Sequence, residues 1–174
     1  MYRMNEIKWP EGYLPGMTDN FVSNEIIVAS LSAAEVWEFL HNTSKWESYY
    51  HNVADIRFHN VTGPELRKGA HFRFTTFGFP IEAEVLEYEP PTDSSPARLA
   101  WHGWEEGATA EDTLHVHHAW LLEDLSGGRV RILTQETQNG KAAKEMAVTK
   151  PNPMLNGHQD WIDGLVQAAS QHKR

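Results

Sequence analysis

The chain has 174 residues, enough for one domain with a real core, and its 40% apolar and 11% aromatic content excludes a disordered polymer. Its formal net charge is −9 and it carries no run of Lys and Arg, which makes nucleic acid and anionic lipid poor partners. It has no cysteine, which excludes disulfides, a thiol nucleophile and any Cys-based metal site, and suits a reducing cytosol.

Residues 1–20 read as an irregular arm broken by Pro10, Gly12, Pro15 and Gly16, with Trp9, Tyr13 and Leu14 expected to pack on the body. The arm has no apolar h-region, so it does not read as a signal peptide. No stretch of the chain approaches the ~20 apolar residues that span a bilayer, so no membrane insertion is expected and the location is read as cytoplasmic.

Residues 21–174 read as a single domain. Phe21 to Ala29 is a strand, since Ile26, Ile27 and Val28 are β-branched and turn residues bound the run. Ser32 and Glu35 form a capping box, and Val36, Phe39 and Leu40 follow at helical spacing. A second short helix is expected from Ser44, carrying Trp46, Tyr49 and Tyr50. Six strands then follow over 53–59, 70–77, 81–88, 98–104, 113–122 and 129–138. Gly63-Pro64, Gly78, the run Pro90 to Pro96, Gly107 and Gly127-Gly128 separate them. Short breaks favour an antiparallel meander, because parallel pairs need long crossovers. Residues 140–150 have room for an extra helical turn. The last helix starts at the cap Asn152 and Pro153 and presents Met154, His158, Trp161 and Leu165, widened by Leu155, Ile162 and Val166.

Several pieces carry a family resemblance: Leu66-x-x-Gly69-x-x-Phe72, Ala83-x-Val85 ending at Pro90, Arg98 to Gly103, His118-Ala119-Trp120, Thr134-Gln135-Glu136 with Gly140, and His158-Gln159-x-Trp161-x-x-Gly164-Leu165. In this order they resemble the START-like or SRPBCC superfamily, closest in texture to its polyketide cyclase/dehydratase-like branch. The resemblance spans residues 21–169. It implies an α+β helix-grip fold, a seven-stranded curved antiparallel sheet wrapped around a long C-terminal helix, with two short helices after the first strand. It also implies a cavity between sheet and last helix for a hydrophobic molecule. It fixes no reaction, because function lives in the site and not in the fold.

Side chains alternate across a strand. Phe72, Phe74 and Thr76 share one face; so do Leu99, Trp101 and Gly103; Leu114, Val116, His118, Trp120 and Leu122; and Val130, Ile132, Thr134 and Glu136. His118 and Glu136 are thus two titratable groups on apolar inward faces of neighbouring strands. They read either as a general base with its partner or as a structural hydrogen bond. Low dielectric raises the Glu136 pKa and a neighbouring imidazolium lowers it again. The candidate ligand-binding residues are Trp46, Tyr49, Phe72, Phe74, Trp101, Trp120, Thr134, Met154, His158 and Trp161, with plain core the competing reading for the tryptophans. Thr134 and Tyr49 are also candidates to hold a developing oxyanion. Gly157 and Gly164, flanking Trp161, mark either close helix–sheet contact or space for a ligand. His115 and His117 form a His-x-His pair, but their parity faces solvent, so no metal site is assigned, and no cofactor is expected. No phosphate loop, nucleophile elbow or His-Glu-x-x-His motif is present.

The leading reading is a small-hydrophobic-molecule binding protein. The alternatives are a cofactor-free cyclase or dehydratase using Glu136 and His118, and a protein-interaction module of the chaperone-activator type. A homodimer is compatible with all three.

Overall fold

The structure is a computed structural model and describes residues 3–105 and 109–173. Gly107, expected at a break, lies outside the described residues, as do Met1 and Tyr2 of the arm. The elements in chain order are β1 (Asn20–Ala29), α1 (Ala33–His41), α2 (Trp46–Tyr49), β2 (Val53–Phe58), β3 (His71–Thr76), β4 (Phe79–Glu89), β5 (Ala97–Trp104), β6 (His115–Leu125), β7 (Arg129–Asn139), α3 (Lys141–Val148) and α4 (Pro153–His172). The strands form one antiparallel sheet in the order β1-β7-β6-β5-β4-β3-β2. The first strand pairs with the last, so α1 and α2 must carry the chain from one sheet edge to the other. Register shifts at Ala54/Arg57 and Val85/Glu87 insert extra residues that bend the sheet.

Local chemistry sets the ends of the elements. Ser32 accepts from the Glu35 backbone N–H, while the Glu35 carboxylate accepts from the Ser32 N–H, closing the capping box of α1. The second helix does not start at Ser44. Asn42 caps a 3-10 turn over Thr43–Lys45 by accepting from the Ser44 N–H, and α2 begins only at Trp46. The β6–β7 turn needs Gly127 and Gly128, whose φ angles of 81° and 68° disfavour other side chains. In α4, Asn152 accepts from the Met154 N–H at 3.0 Å with Pro153 in the first turn.

One face of α4 buries Met154, His158, Trp161, Ile162 and Leu165 against the sheet. Phe72, Trp101, Trp120, Trp161 and Ile132 belong to one continuous core between the two layers. Neither stripe would be dry without the other. Leu155, expected to widen this face, is 41% exposed because it sits off the buried stripe. Gly157 and Gly164 mark close contact. A methyl at Gly157 would meet the Phe77 ring, and one at Gly164 would meet the backbone carbonyl of Tyr49.

The arm covers the opposite sheet face. Ile7 buries against Ala100, Ala119, Leu121 and Leu133, with Trp9 packed beside them. Side chains of the sheet clamp its backbone: Arg98 donates to Glu6 O at 2.9 Å, Arg131 to Asn5 O at 2.8 Å and Thr137 to Tyr13 O at 2.8 Å, and Glu123 accepts from Asn5 N–H at 3.2 Å. Leu14, expected to pack, is 52% exposed. The arm also overturns the expectation for His117. Parity places it on the outer face, but Trp9 and Tyr13 lie over it and leave it 3% exposed. His115 remains half-buried, 3.3 Å from His102 through ring nitrogens.

Candidate functional site

A cavity of about 250 Å³ opens at the end of the sheet near the N-terminus of α4, roofed by α3. Its depth is formed by Phe74 of β3, Trp101 of β5, Val116 of β6 and Glu136 of β7. Ala142 and Met146 of α3 and Met154 of α4 close it from above, and Phe77, Phe79, Glu145 and Thr149 stand toward the opening. The cavity therefore lies toward one end of α4, because the middle of that helix packs without space. There Trp161 stacks on Tyr50 at 4.5 Å and meets Trp46 edge-on at 5.1 Å.

A single carboxyl reaches the depth of this apolar space. Glu136 is 4% exposed and its Oε1 lies 3.4 Å from Nδ1 of His118. Its Oε2 accepts from Gln138 Nε2. Gln138 in turn accepts from Asn20 Nδ2 at 2.8 Å, and Asn20 from Asn152 Nδ2 at 3.0 Å. This chain of amides ties the site to the cap of α4. On the other side, Thr134 donates to Ala119 O at 3.1 Å, so its oxygen accepts from His118 Nε2–H at 2.8 Å. Nδ1 of His118 then carries the lone pair, facing Glu136.

Protonation follows from burial. Desolvation pushes the Glu136 carboxyl up to about 8, with Gln138 pulling the other way. The imidazolium expected beside it is absent, since desolvation and the nearby His158 and His117 hold the His118 pKa well below its usual value. Burial lowers His158 to about 3. Near neutral pH the site holds two neutral imidazoles and a protonated carboxyl, and a Glu136 proton directed at His118 Nδ1 removes the clash of two lone pairs.

His118, Glu136 and His158 each bring one potential metal-ligand atom within 4.8 Å of the others. A ligating lone pair lies in the plane of its imidazole. The His118 and His158 rings stack 4.4 Å apart at 16°, so their planes do not meet at a common ion. His59, His71 and Glu82 form a second such group on the more exposed side of the sheet, with both Nε2 atoms on Glu82 Oε2 at 2.9 and 3.1 Å. None of these three residues lines the cavity.

No protein-family model and no curated protein matches the chain. A solved structure does. The crystal structure of the Helicobacter pylori protein jhp0584 is 49% identical, covers 97% of this chain and 99% of that one, and superposes with a TM-score of 0.91. The chain belongs to the jhp0584 family, with the START-like (SRPBCC) helix-grip fold. The fold recurs in a point mutant of Thalictrum norcoclaurine synthase in complex with a transition-state analogue, at 9% identity over 89% of this chain and 96% of that one, TM-score 0.63. It recurs again in CalU16 from Micromonospora echinospora, at 16% identity over 88% and 76% of the two chains, TM-score 0.54.

Within this START-like domain, Phe74, Trp101, Met154 and Glu136 of the candidate residues line the cavity. His118 lies directly behind Glu136, and His158 stacks on His118. Thr134 is wholly buried and committed to His118 and Ala119, so it presents no donor to an oxyanion. Tyr49 donates its hydroxyl to Phe39 O at 2.8 Å and is equally occupied. Trp46 donates to Leu40 O at 2.8 Å, and with Phe72, Trp120 and Trp161 it belongs to the packed core outside the lining. Sequence reasoning passed over Gln138, Phe77, Phe79 and the α3 residues Met146 and Glu145. Gln138 was legible, being the next inward position after Glu136 on the same strand. The α3 residues were not, because nothing local says which way a short helix folds back.

Proposed function

We propose that the chain binds a small, largely apolar molecule in the cavity between β3–β7, α3 and the start of α4. The observation that carries this reading is a carboxyl buried at the depth of a largely apolar, open-ended space. A pure core gains nothing from such a group, whereas a binding site needs a few convergent polar atoms to orient its ligand. The likeness to START-like proteins supports the same reading at the level of fold. The outer sheet face is a poorer candidate for a partner protein, since the arm already occupies its apolar centre.

The test is titration with an uncharged apolar dye such as Nile red, followed through its own emission and that of Trp101. Thr76→Trp, at a half-buried lining position, fills the space and should abolish binding while the melting temperature holds. Equal dye binding by that variant would place the dye elsewhere and sink the proposal.

A second reading, catalysis of proton transfer, is favoured by the pKa of about 8 at Glu136, among the described residues the only titratable group at the cavity depth. Glu136 would be the residue touching substrate. His118, outside the lining, would act as a positioning residue. If turnover of an apolar carbonyl compound is found, Glu136→Gln should abolish it, and unchanged turnover would leave binding alone.

A further inference from the structure

The chemical character of the ligand is written in what the cavity wall lacks. Among the described residues the lining contains one carboxyl at its depth, Glu136, one at its opening, Glu145, and no Lys, Arg or His. A carboxylate or phosphate entering this space would meet no positive partner, two acids and a protein of net charge −9. Fatty acids and phosphorylated molecules are therefore poor occupants.

The hydrogen bonds sharpen this. His118 Nε2–H is committed to Thr134, so in the empty site the Glu136 proton is directed at His118 Nδ1. Gln138 donates to the other carboxyl oxygen. What Glu136 has left for the cavity is lone pairs, so a ligand must bring the donor. The rings of Phe74 and Trp101 share the depth of the cavity with it, and the negative faces of aromatic rings attract cations. Resting on the reading that the cavity binds a ligand at all, we propose that it selects a compact apolar molecule carrying one basic nitrogen, held as a cation beside the aromatic wall, with Glu136 releasing its proton to solvent and meeting the ammonium as a carboxylate.

Three molecules of one shape test this by calorimetry near neutral pH: 1-naphthylmethylamine, 1-naphthalenemethanol and 1-naphthoic acid. The amine should bind about tenfold or more tighter than the alcohol, a difference of roughly 1.4 kcal/mol, and the acid should not bind measurably. In Glu136→Gln the ratio of amine to alcohol affinity should fall to about one. If that variant does not fold, Glu145→Gln, at an exposed position, carries the test, with a smaller ratio of amine to alcohol affinity expected. An alcohol or acid that binds as tightly as the amine overturns the proposal. So does an amine advantage that survives in the variant. In either case binding of the uncharged dye keeps the ligand reading alive. If neither the dye nor any of the three binds, the ligand reading itself has failed.

Discussion

His118 Nδ1 and Glu136 Oε1 face each other at 3.4 Å across neighbouring strands, with both side chains almost completely buried. Their protonation links stability to pH with a definite sign. Glu136 is raised from 4.5 to about 8, so its native form holds a proton that the unfolded chain releases. The stability it contributes is full below pH about 4.5 and is lost as pH rises toward 8. His118 and His158 are shifted down from 6.5, so their contribution is present above 6.5 and lost as pH falls. The melting temperature should therefore peak near pH 6.5 and decline on both sides. Glu136→Gln should flatten the decline between 6.5 and 8 and leave the acid limb in place. Thermal melts of both proteins from acid to mildly alkaline pH check this, and an unaltered alkaline limb in the variant would refute the assignment.

The two helix glycines separate rigid from yielding contact. At Gly164 a methyl would press on the backbone carbonyl of Tyr49, which cannot move without shifting α2. Gly164→Ala should cost about 1–3 kcal/mol in chemical denaturation. At Gly157 the obstacle is the half-buried Phe77 ring, which can swing toward the cavity opening. Gly157→Ala should cost less stability but change dye binding, because Phe77 lines that opening. Equal losses of stability at both positions would mean that Phe77 is as fixed as the Tyr49 backbone.

What was legible in the sequence was whatever local rules decide. The meander from β2 to β7, the Ser32 and Asn152 caps and the inward set ending in His118 and Glu136 follow from alternation, capping and turn residues, whereas the pairing of β1 with β7 does not. What depended on distant parts of the chain was hidden. His117 has the parity of a solvent-facing residue, and only the arm, about a hundred residues away in sequence, buries it. The tryptophans carry no mark that distinguishes core from cavity wall. Trp101 touches the space and Trp161 does not because α3 and Phe77, not the middle of α4, shape the cavity.

The buried outer-face histidine gives the arm a measurable role. Burial lowers His117 from 6.5 to about 4, with repulsion from His102 adding to it, and neither ring nitrogen has a hydrogen-bond partner. Its contribution to stability is present above 6.5 and is lost as pH falls toward 4. Trp9→Ala should admit water to the ring, so the His117 pKa, followed by NMR, should move upward toward 6.5. Ile7→Ala should cost about 2–5 kcal/mol if the arm is as firmly packed as the core. A much smaller cost, with an unmoved His117 titration in Trp9→Ala, would show that the arm is not what shields the ring.

Trp161 provides the sharpest separation of core from site. It is 2% exposed, stacks on Tyr50 and meets Trp46 and Trp120 edge-on at 5.1 and 5.3 Å. It is absent from the cavity lining. Truncation there removes a large buried surface and the contacts of four aromatic neighbours, counting Trp101 at 6.1 Å. Trp161→Ala should therefore cost about 3–5 kcal/mol, a large part of the stability of a domain this size. If a folded fraction persists at low temperature, its affinity for the apolar dye should stay close to that of the parent. Phe74→Ala, on the lining, should instead change dye affinity in the folded protein. A Trp161→Ala protein that melts like the parent but no longer binds the dye would move Trp161 from the core into the binding site, and the cavity would then extend beneath the middle of α4.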